Sequence, residues 1–340
     1  MKTLALLAGA AAAAALAGWP RHGLWARWRR AREAAARIRR EDALKHVLKC
    51  EANGPPATSL SVGGALGLRE PAAAALLRDL ESRGLVTFAG GSLALRPAGR
   101  EIALHVVRAH RLWERHLAEE TGVAESRWHR IAERHEHRLT PEQAEALAAR
   151  LGHPLRDPHG DVIPAQGTEL PGDAGVPVNA VETGAPFEIV HIEDEPEDVY
   201  AALLRLGLRT GMRGYVMGRT AEEVRLWAEG REIGLRPSLA QQLSARVLDS
   251  VTRAELRGEV SLAELPPGSA GDVVGLSPSC RGAERRRLLD LGFVPGSTVS
   301  TRLVSPAGDP TAYQVRGALV ALRREQARHV RIIPQAEAAA

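Results

Sequence analysis

At 340 residues the chain is too long for one average domain and implies two or three compact units. With 44% hydrophobic and 25% charged residues it can bury a core, so disorder is not the default. Cys50 and Cys280, its two cysteines, exclude a disulfide framework and a four-cysteine zinc module and fit a reducing compartment.

The formal charge of +4 arises mainly near the start, where residues 21–40 hold eight arginines against the single acid Glu33. Before them, Leu4 to Trp19 is an uncharged run of Ala, Leu and Gly, slightly shorter than the roughly 17–25 residues that span a bilayer. A secretory signal, a membrane anchor and an apolar helix without a membrane role all fit that composition. Only Lys2 precedes the run and the arginine block follows it, which opposes a signal peptide and, by the positive-inside rule, favours an anchor. Trp19, Trp25 and Trp28 interleave with Arg27, Arg29 and Arg30, the mix expected where a helix leaves a bilayer beside anionic headgroups. The expectation for residues 1–39 is therefore an apolar N-terminal segment with a basic juxtamembrane stretch, a single transmembrane helix tethering a cytoplasmic chain to the inner face of the membrane.

Residues 40–100 read as helix, short helix, helix and hairpin. Ala43, Leu44, Val47 and Leu48 give Glu41 to Glu51 a helical apolar face, which Asn53, Gly54, Pro55 and Pro56 terminate. Ser59 to Leu66 forms a second short helix closed by Gly67. Pro71, a favoured first helical residue, opens a third, lined by Leu76, Leu77 and Leu80 up to Gly84. Val86 to Leu95, broken at Gly90 and Gly91, makes two strands with a tight turn. Three helices and a β-wing define a winged helix-turn-helix.

Residues 101–155 add helices over Arg100 to Leu117, Ala124 to His137 and Pro141 to Leu151. Residues 156–178 read as a linker, since Leu155 to Val178 holds eight prolines or glycines. Beyond it the chain repeats itself. The segment Leu203-Leu204-Arg205-Leu206-Gly207 recurs as Leu288-Leu289-Asp290-Leu291-Gly292, an offset of 85 residues, with strand-like flanks at Phe187–Ile192 and Ala270–Leu276. Each copy, residues 179–248 and 259–335, is a small, mostly β unit with one short helix, consistent with an SH3-like barrel. The expected fold class is α+β multidomain: a winged helix-turn-helix, a helical domain and two SH3-like β-barrels.

Glu133, Glu136 and His137 stand at i, i+3 and i+4, so one helix face offers two carboxylates and an imidazole, with His129 one turn earlier. On the preceding helix His110 and Glu114 are spaced i, i+4. Oxygen and imidazole donors without thiolate suit Mn²⁺, Fe²⁺ or Zn²⁺. The bland alternative is a solvated face of a charged helix.

Arg108-Ala109-His110-Arg111-Leu112-Trp113-Glu114-Arg115, followed by Trp128-His129 through Glu136-His137, resembles the metal-binding and dimerisation helices of the DtxR/MntR family of metal-dependent repressors. The resemblance places Asp42 on the first-helix ligand position and implies a primary site of Asp42, His110, Glu133, Glu136 and His137. Asp42 and Glu133 are similar to the manganese-type members, and such hard donors favour Mn²⁺ with Fe²⁺ close behind. Lys45 is a departure, since manganese-type members carry a second first-helix carboxylate there, and it argues against a full binuclear site. Glu114 and His129 resemble the ancillary site of the iron type, whose remaining ligands come from the SH3-like domain. Glu195 or Glu197, in the acidic run Glu193 to Asp198, would supply them. Gly271-Asp272-Val273-Val274-Gly275-Leu276 with Arg287-Leu288-Leu289-Asp290-Leu291-Gly292 is similar to the FeoA domain associated with ferrous-iron uptake, and Val181 to Val247 looks like a divergent copy.

The family resemblance implies a homodimer in which Mn²⁺ or Fe²⁺ controls DNA binding, and no enzyme. Arg69, Pro71, Ala72, Arg78 and Arg96 fall on the expected DNA-binding face. Its third helix reads Arg69-Glu70-Pro71-Ala72-Ala73-Ala74-Ala75, and alanine methyls touch thymine but pair with no other base edge. Base readout is therefore poor, and the arginines contact phosphate. The alternative is a membrane-tethered metal sensor or accessory protein docking onto a ferrous-iron transporter without sequence-specific DNA binding.

Overall fold

The computed structural model describes residues 23–165 and 175–335. The chain divides into two compact units, of which the first comprises Met1–Ala109, Glu136–Pro141 and Pro164–Leu170 and the second His110–His135, Glu142–Ile163 and Pro171–Ala340.

In the first unit, helix α1 (Leu24–Asn53) is followed by α2 (Ser59–Ala65), α3 (Glu70–Ser82) and the antiparallel pair β1 (Val86–Ala89) and β2 (Ser92–Leu95). Ala43, Leu44, Val47 and Leu48 on the inner face of α1 pack with Val62, Leu77, Leu80, Val86 and Leu93 into one core. Thr58 caps α2 in a reciprocal capping box with Ser61. The next helix, α4 (Pro97–Glu120), needs Gly99 in its first turn, because a Cβ there would stand 2.1 Å from the Leu85 carbonyl. This is the winged arrangement expected from the helical and strand periodicities.

Helix α1 starts well before Glu41, so the basic stretch is continuous with the first helix of the winged domain. Its residues up to position 40 include Arg27, Arg29, Arg30, Arg32, Arg37, Arg39 and Arg40. The guanidinium groups of Arg29 and Arg32 lie over the rings of Trp25 and Trp28, at 5.4 Å and 4.6 Å from the ring centroids. Among the described residues no helix is long and apolar enough to cross a membrane. The expected tether to the inner face of the membrane is corrected accordingly: tryptophans that read as a bilayer flank stack on arginines one turn away. Leu4–Trp19, on which the transmembrane expectation rested, lie outside the described residues.

In the second unit, the end of α4, α5 (Trp128–Glu136, all but its last residue) and α6 (Pro141–Arg150, beyond its first residue) precede two barrels. The first holds β3 (Val176–Pro177), β4 (Pro186–Ile192), α7 (Glu197–Arg205), β5 (Arg213–Arg219), β6 (Val224–Ala228), β7 (Arg231–Leu235) and β8 (Leu243–Val247). The second holds β9 (Val260–Ser261), β10 (Ala270–Leu276), α10 (Gly282–Asp290), β11 (Thr298–Val304), β12 (Thr311–Val315), β13 (Ala318–Leu322) and β14 (Val330–Pro334), with α8 (Pro237–Ala240) and α9 (Arg253–Gly258) between α7 and α10 in chain order. Their strand orders are the same: β7-β6-β5-β4-β8-β3 and β13-β12-β11-β10-β14-β9. Even the irregularities correspond, with register shifts between Ile189 and His191 and between Val273 and Gly275. The repeated leucines Leu203 and Leu288 and their followers Leu208 and Phe293 fill the two cores.

Part of the stretch read as a linker is folded. Arg156 bridges to Val162, and Asp157 and His159 are buried. Gly160 adopts φ +99°, and a Cβ on it would lie 1.9 Å from the Val190 carbonyl, so only glycine lets this loop press against the first barrel. Residues 166–174 of the expected linker lie outside the described residues.

Candidate metal centres

In the first unit, Asp42, Glu136 and His137 bring one ligand-type atom each to within 4.8 Å of the others. Helix α1 supplies Asp42, the last residue of α5 is Glu136, and His137 is the turn residue after it. The His137 ring is held from both sides: Nδ1 lies 2.7 Å from Glu41 Oε2 and Nε2 3.0 Å from Asp42 Oδ1. Burial works against a charged ring here, but the hydrogen bonds to Asp42 and Glu41 outweigh it and raise His137 to about 9. Glu41 stands where an orienting carboxylate belongs, fixing Nδ1–H and leaving Nε2 toward Asp42 and Glu136. Sequence reasoning missed it, although its position beside Asp42 was the available signal.

In the second unit, His110, Glu114, His129 and Asp194 form a second group, and Glu114, Asp157 and His159 a third that shares its carboxylate. Glu114 is central and 1% exposed: Oε1 lies 3.1 Å from His110 Nε2 and 3.5 Å from His129 Nδ1, and Oε2 lies 3.4 Å from His159 Nδ1. Asp194 Oδ2 lies 2.8 Å from His129 Nδ1 and 3.5 Å from His159 Nδ1. Glu114 Oε1, His129 Nδ1, Asp157 Oδ2 and both ring nitrogens of His159 are nevertheless buried without a well-aligned hydrogen bond. Close approach without alignment is what ligand atoms facing a common centre produce, so these residues fit a divalent cation.

The electrostatics agree. Burial opposes ionisation of Glu114, but His110 and His159 hold its carboxyl well below the usual range. Burial, then Asp161 and Glu114, push Asp157 well above it. Burial disfavours a charged His159, yet Glu114 raises the ring to about 10. Asp157 Oδ1 accepts from the backbone N–H groups of His159 and Asp161, which shapes the loop and leaves Oδ2 turned inward.

The residues expected to form one primary site are thus distributed over different groups. Asp42, Glu136 and His137 come together, whereas His110 falls with Glu114 and His129, its i+4 neighbour drawing it there. Glu133 falls with His129 and Glu195, with His129 Nε2 at 3.5 Å and 3.2 Å from the two carboxylates, on the outer side of the buried cluster. Of the acidic run, Asp194 turns inward and Glu195 lies at the rim. Among the described residues Glu197 joins no such group, since it begins α7 and is exposed on the first turn. Asp157, His159 and Asp194 were not singled out from sequence.

The DNA-face candidates Arg69, Pro71, Ala72, Arg78 and Arg96 are all exposed, while Ala73, Leu77 and Leu80 turn the opposite side of α3 into the core.

Two family models match the chain: the iron dependent repressor, metal binding and dimerisation domain over residues 96–165, and the FeoA domain over residues 260–334. The diphtheria toxin repressor of Corynebacterium diphtheriae is 28% identical over 211 residues, 59% of this chain and 93% of that protein. A solved manganese-dependent transcriptional repressor in complex with manganese is 26% identical with a TM-score of 0.57, covering 62% of this chain and all of that one. The Fe(2+) transport protein A/Fe(2+) transporter FeoB fusion protein of Porphyromonas gingivalis is 35% identical over 71 residues, 21% of this chain and 8% of that protein. By these likenesses the chain is similar to the DtxR/MntR family of metal-dependent repressors and matches the FeoA domain over residues 260–334.

Proposed function

We propose that this protein is a homodimeric, metal-dependent transcriptional regulator of metal homeostasis, in which Mn²⁺ or Fe²⁺ controls DNA binding. The observation that carries the reading is the meeting of Asp42, on the first helix of the winged domain, with Glu136 and His137. An ion held by these side chains favours whichever position of the winged domain brings them together, and so populates that state. Two carboxylates and an imidazole without thiolate suit Mn²⁺ or Fe²⁺. His110, Glu114, His129, Asp157, His159 and Asp194 serve as an ancillary site, with Glu133 and Glu195 at its rim. No catalytic step is assigned.

DNA is engaged through α3 and the wing. Pro71, Ala72 and Ala75 offer the major groove little beyond methyl contact, so Arg69, Arg78 and Arg96 on phosphate supply most of the affinity. Gel-shift titrations on the DNA upstream of its own gene, with Mn²⁺, Fe²⁺ or EDTA at two salt concentrations, test this. A metal-dependent shift is expected, and its absence at both salts overturns the regulatory reading. A second reading, an accessory protein of ferrous-iron transport, draws on the FeoA match and the alanine-lined α3. It predicts metal binding with no shift.

A further inference from the structure

Arg37, Glu41 and Lys45 stand four residues apart on α1, one stripe along consecutive turns. Every member of the stripe is engaged with residues 136–137. Arg37 Nη2 donates to the His137 carbonyl at 3.0 Å, Glu41 accepts from His137 Nδ1 at 2.7 Å, and Lys45 Nζ donates to both oxygens of Glu136, at 2.9 Å and 3.1 Å. Glu136 is 2% exposed, so the ammonium lies against a carboxylate shielded from water. A charge-assisted, two-pronged bond of this kind is strong, and loss of one partner leaves a buried charge unpaired. Glu136 is also the carboxylate that Asp42 and His137 share in the candidate metal centre. A fixed monovalent charge and a divalent ion therefore draw on the same group.

We propose that Lys45 is a built-in cation of this centre: its ammonium latches α1 to Glu136 through protein groups alone and reserves the centre for one divalent ion. The latch stands without the metal reading, whereas the one-ion limit rests on it. A divalent ion beside Glu136 has Asp42 and His137 Nε2 as further donors, and the ammonium already lies against both Glu136 oxygens. A second ion would have to displace a tethered positive charge. Metal then adds to an ordering of α1 that is already in place, which makes the response graded.

Hydrogen exchange of full-length protein over residues 40–50, in EDTA and in Mn²⁺, combined with Mn²⁺ equilibrium dialysis, tests both halves. In EDTA, Lys45→Gln is expected to exchange about tenfold faster than wild type across this stretch, Mn²⁺ to restore protection, and Lys45→Arg to retain it. The wing, residues 86–95, should stay unchanged in every variant and so reports intact folding. Lys45→Glu is expected to take up one Mn²⁺ per chain more than wild type, and an added Glu136→Gln to abolish that gain. Wild-type protection of Lys45→Gln in EDTA overturns the latch. Unchanged stoichiometry in Lys45→Glu, with its wing intact, overturns the one-ion limit. If wild type and Glu136→Gln bind the same number of ions while Lys45→Gln still loses protection, the metal reading of this centre fails and the latch stands.

Discussion

The group at Asp42, Glu136 and His137 and the group around Glu114 use the same side-chain chemistry under opposite conditions. Around His137 the countercharges are protein groups with aligned hydrogen bonds: Glu41 and Asp42 on the ring, Lys45 on Glu136, Arg37 on Glu41. Around Glu114 three imidazoles and three carboxylates converge, with His110, His159, Glu114 and Asp157 buried and His129 and Asp194 partly so, and several of their polar atoms have no aligned partner. Arg111 stands 4.0 Å from Asp157 and spends its shorter contact, 2.9 Å, on Asp161. A centre already balanced by its own cations can gain or lose an ion without collapse. A buried centre with unaligned donors depends on one, so the first is suited to sensing and the second to fastening the barrel to the helices.

Removal of single carboxylates should separate the two most sharply. Glu114→Ala leaves His110, His129 and His159 without their shared countercharge and is expected to destabilise the protein by about 3–5 kcal/mol in urea unfolding. Asp42→Ala, at a side chain 36% exposed, should cost about 1 kcal/mol or less. Equal losses would break the division.

Chelated protein should also reveal both centres by pH. His137 and His159 are raised above their ordinary 6.5, to about 9 and about 10. A group raised on folding contributes stability that is complete below its unfolded value and is lost as pH climbs through the folded one. The urea midpoint in EDTA should therefore fall from pH ~6.5 upward, one component ending near 9 and another near 10. His159→Asn should remove only the component that extends to 10. A midpoint that rises over this range would refute the assignment.

These two centres were unequally legible in the sequence, and the reason is physical. Glu136 ends a helix and His137 is the turn residue after it, close enough to the i, i+3, i+4 spacing from Glu133 for the sequence to flag them, and the repeat around Leu203 and Leu288 carried both barrels because the same leucine must fill the same core twice. Asp157 and His159 sit among prolines and glycines, and a tight buried loop needs those residues as much as a linker does. What makes the loop structural is Gly160 against Val190, a contact with a strand about thirty residues away that no local pattern encodes. In Glu193 to Asp198, alternatives of equal charge stand side by side, and only the start of α7 decides that Asp194 turns in while Glu197 faces out. The arginines of α1 misled because a basic block beside tryptophans has the same composition at a bilayer edge as on a helix where each ring has a guanidinium group of its own helix over it.

Proton release distinguishes the sensing centre further. With the His137 ring raised to about 9 by Asp42 and Glu41, an ion that takes Nε2 has to displace a proton while Nδ1–H stays on Glu41. Mn²⁺ affinity of the Asp42 centre should rise by about tenfold per pH unit from 7 toward 9, with about one proton released per ion, as calorimetry in buffers of different ionisation enthalpy would show. Glu41→Gln should weaken binding roughly 10- to 100-fold and flatten this dependence, because the acceptor on Nδ1–H loses the negative charge that orients the ring and raises it. A pH-independent affinity in wild type would place the ion elsewhere.

The smallest effects belong to the DNA face, and they test whether sensing and binding are separable. Arg69 precedes α3, Arg78 is exposed on it and Arg96 follows the wing, so on the proposed DNA face each is expected to add one positive charge against the phosphate backbone and little to base choice. Arg69→Ala and Arg78→Ala should each reduce the slope of log affinity against log salt by about one and weaken binding to specific and unrelated DNA alike. Neither side chain belongs to a candidate metal centre, so the ratio of affinities with and without Mn²⁺ should stay at its wild-type value. Asp42→Ala should do the reverse, abolishing the ratio while leaving the salt slope in EDTA untouched. An arginine variant that changed the ratio would mean that α3 itself rearranges when the ion binds, and the division between a sensing centre and a passive DNA face would have to be abandoned.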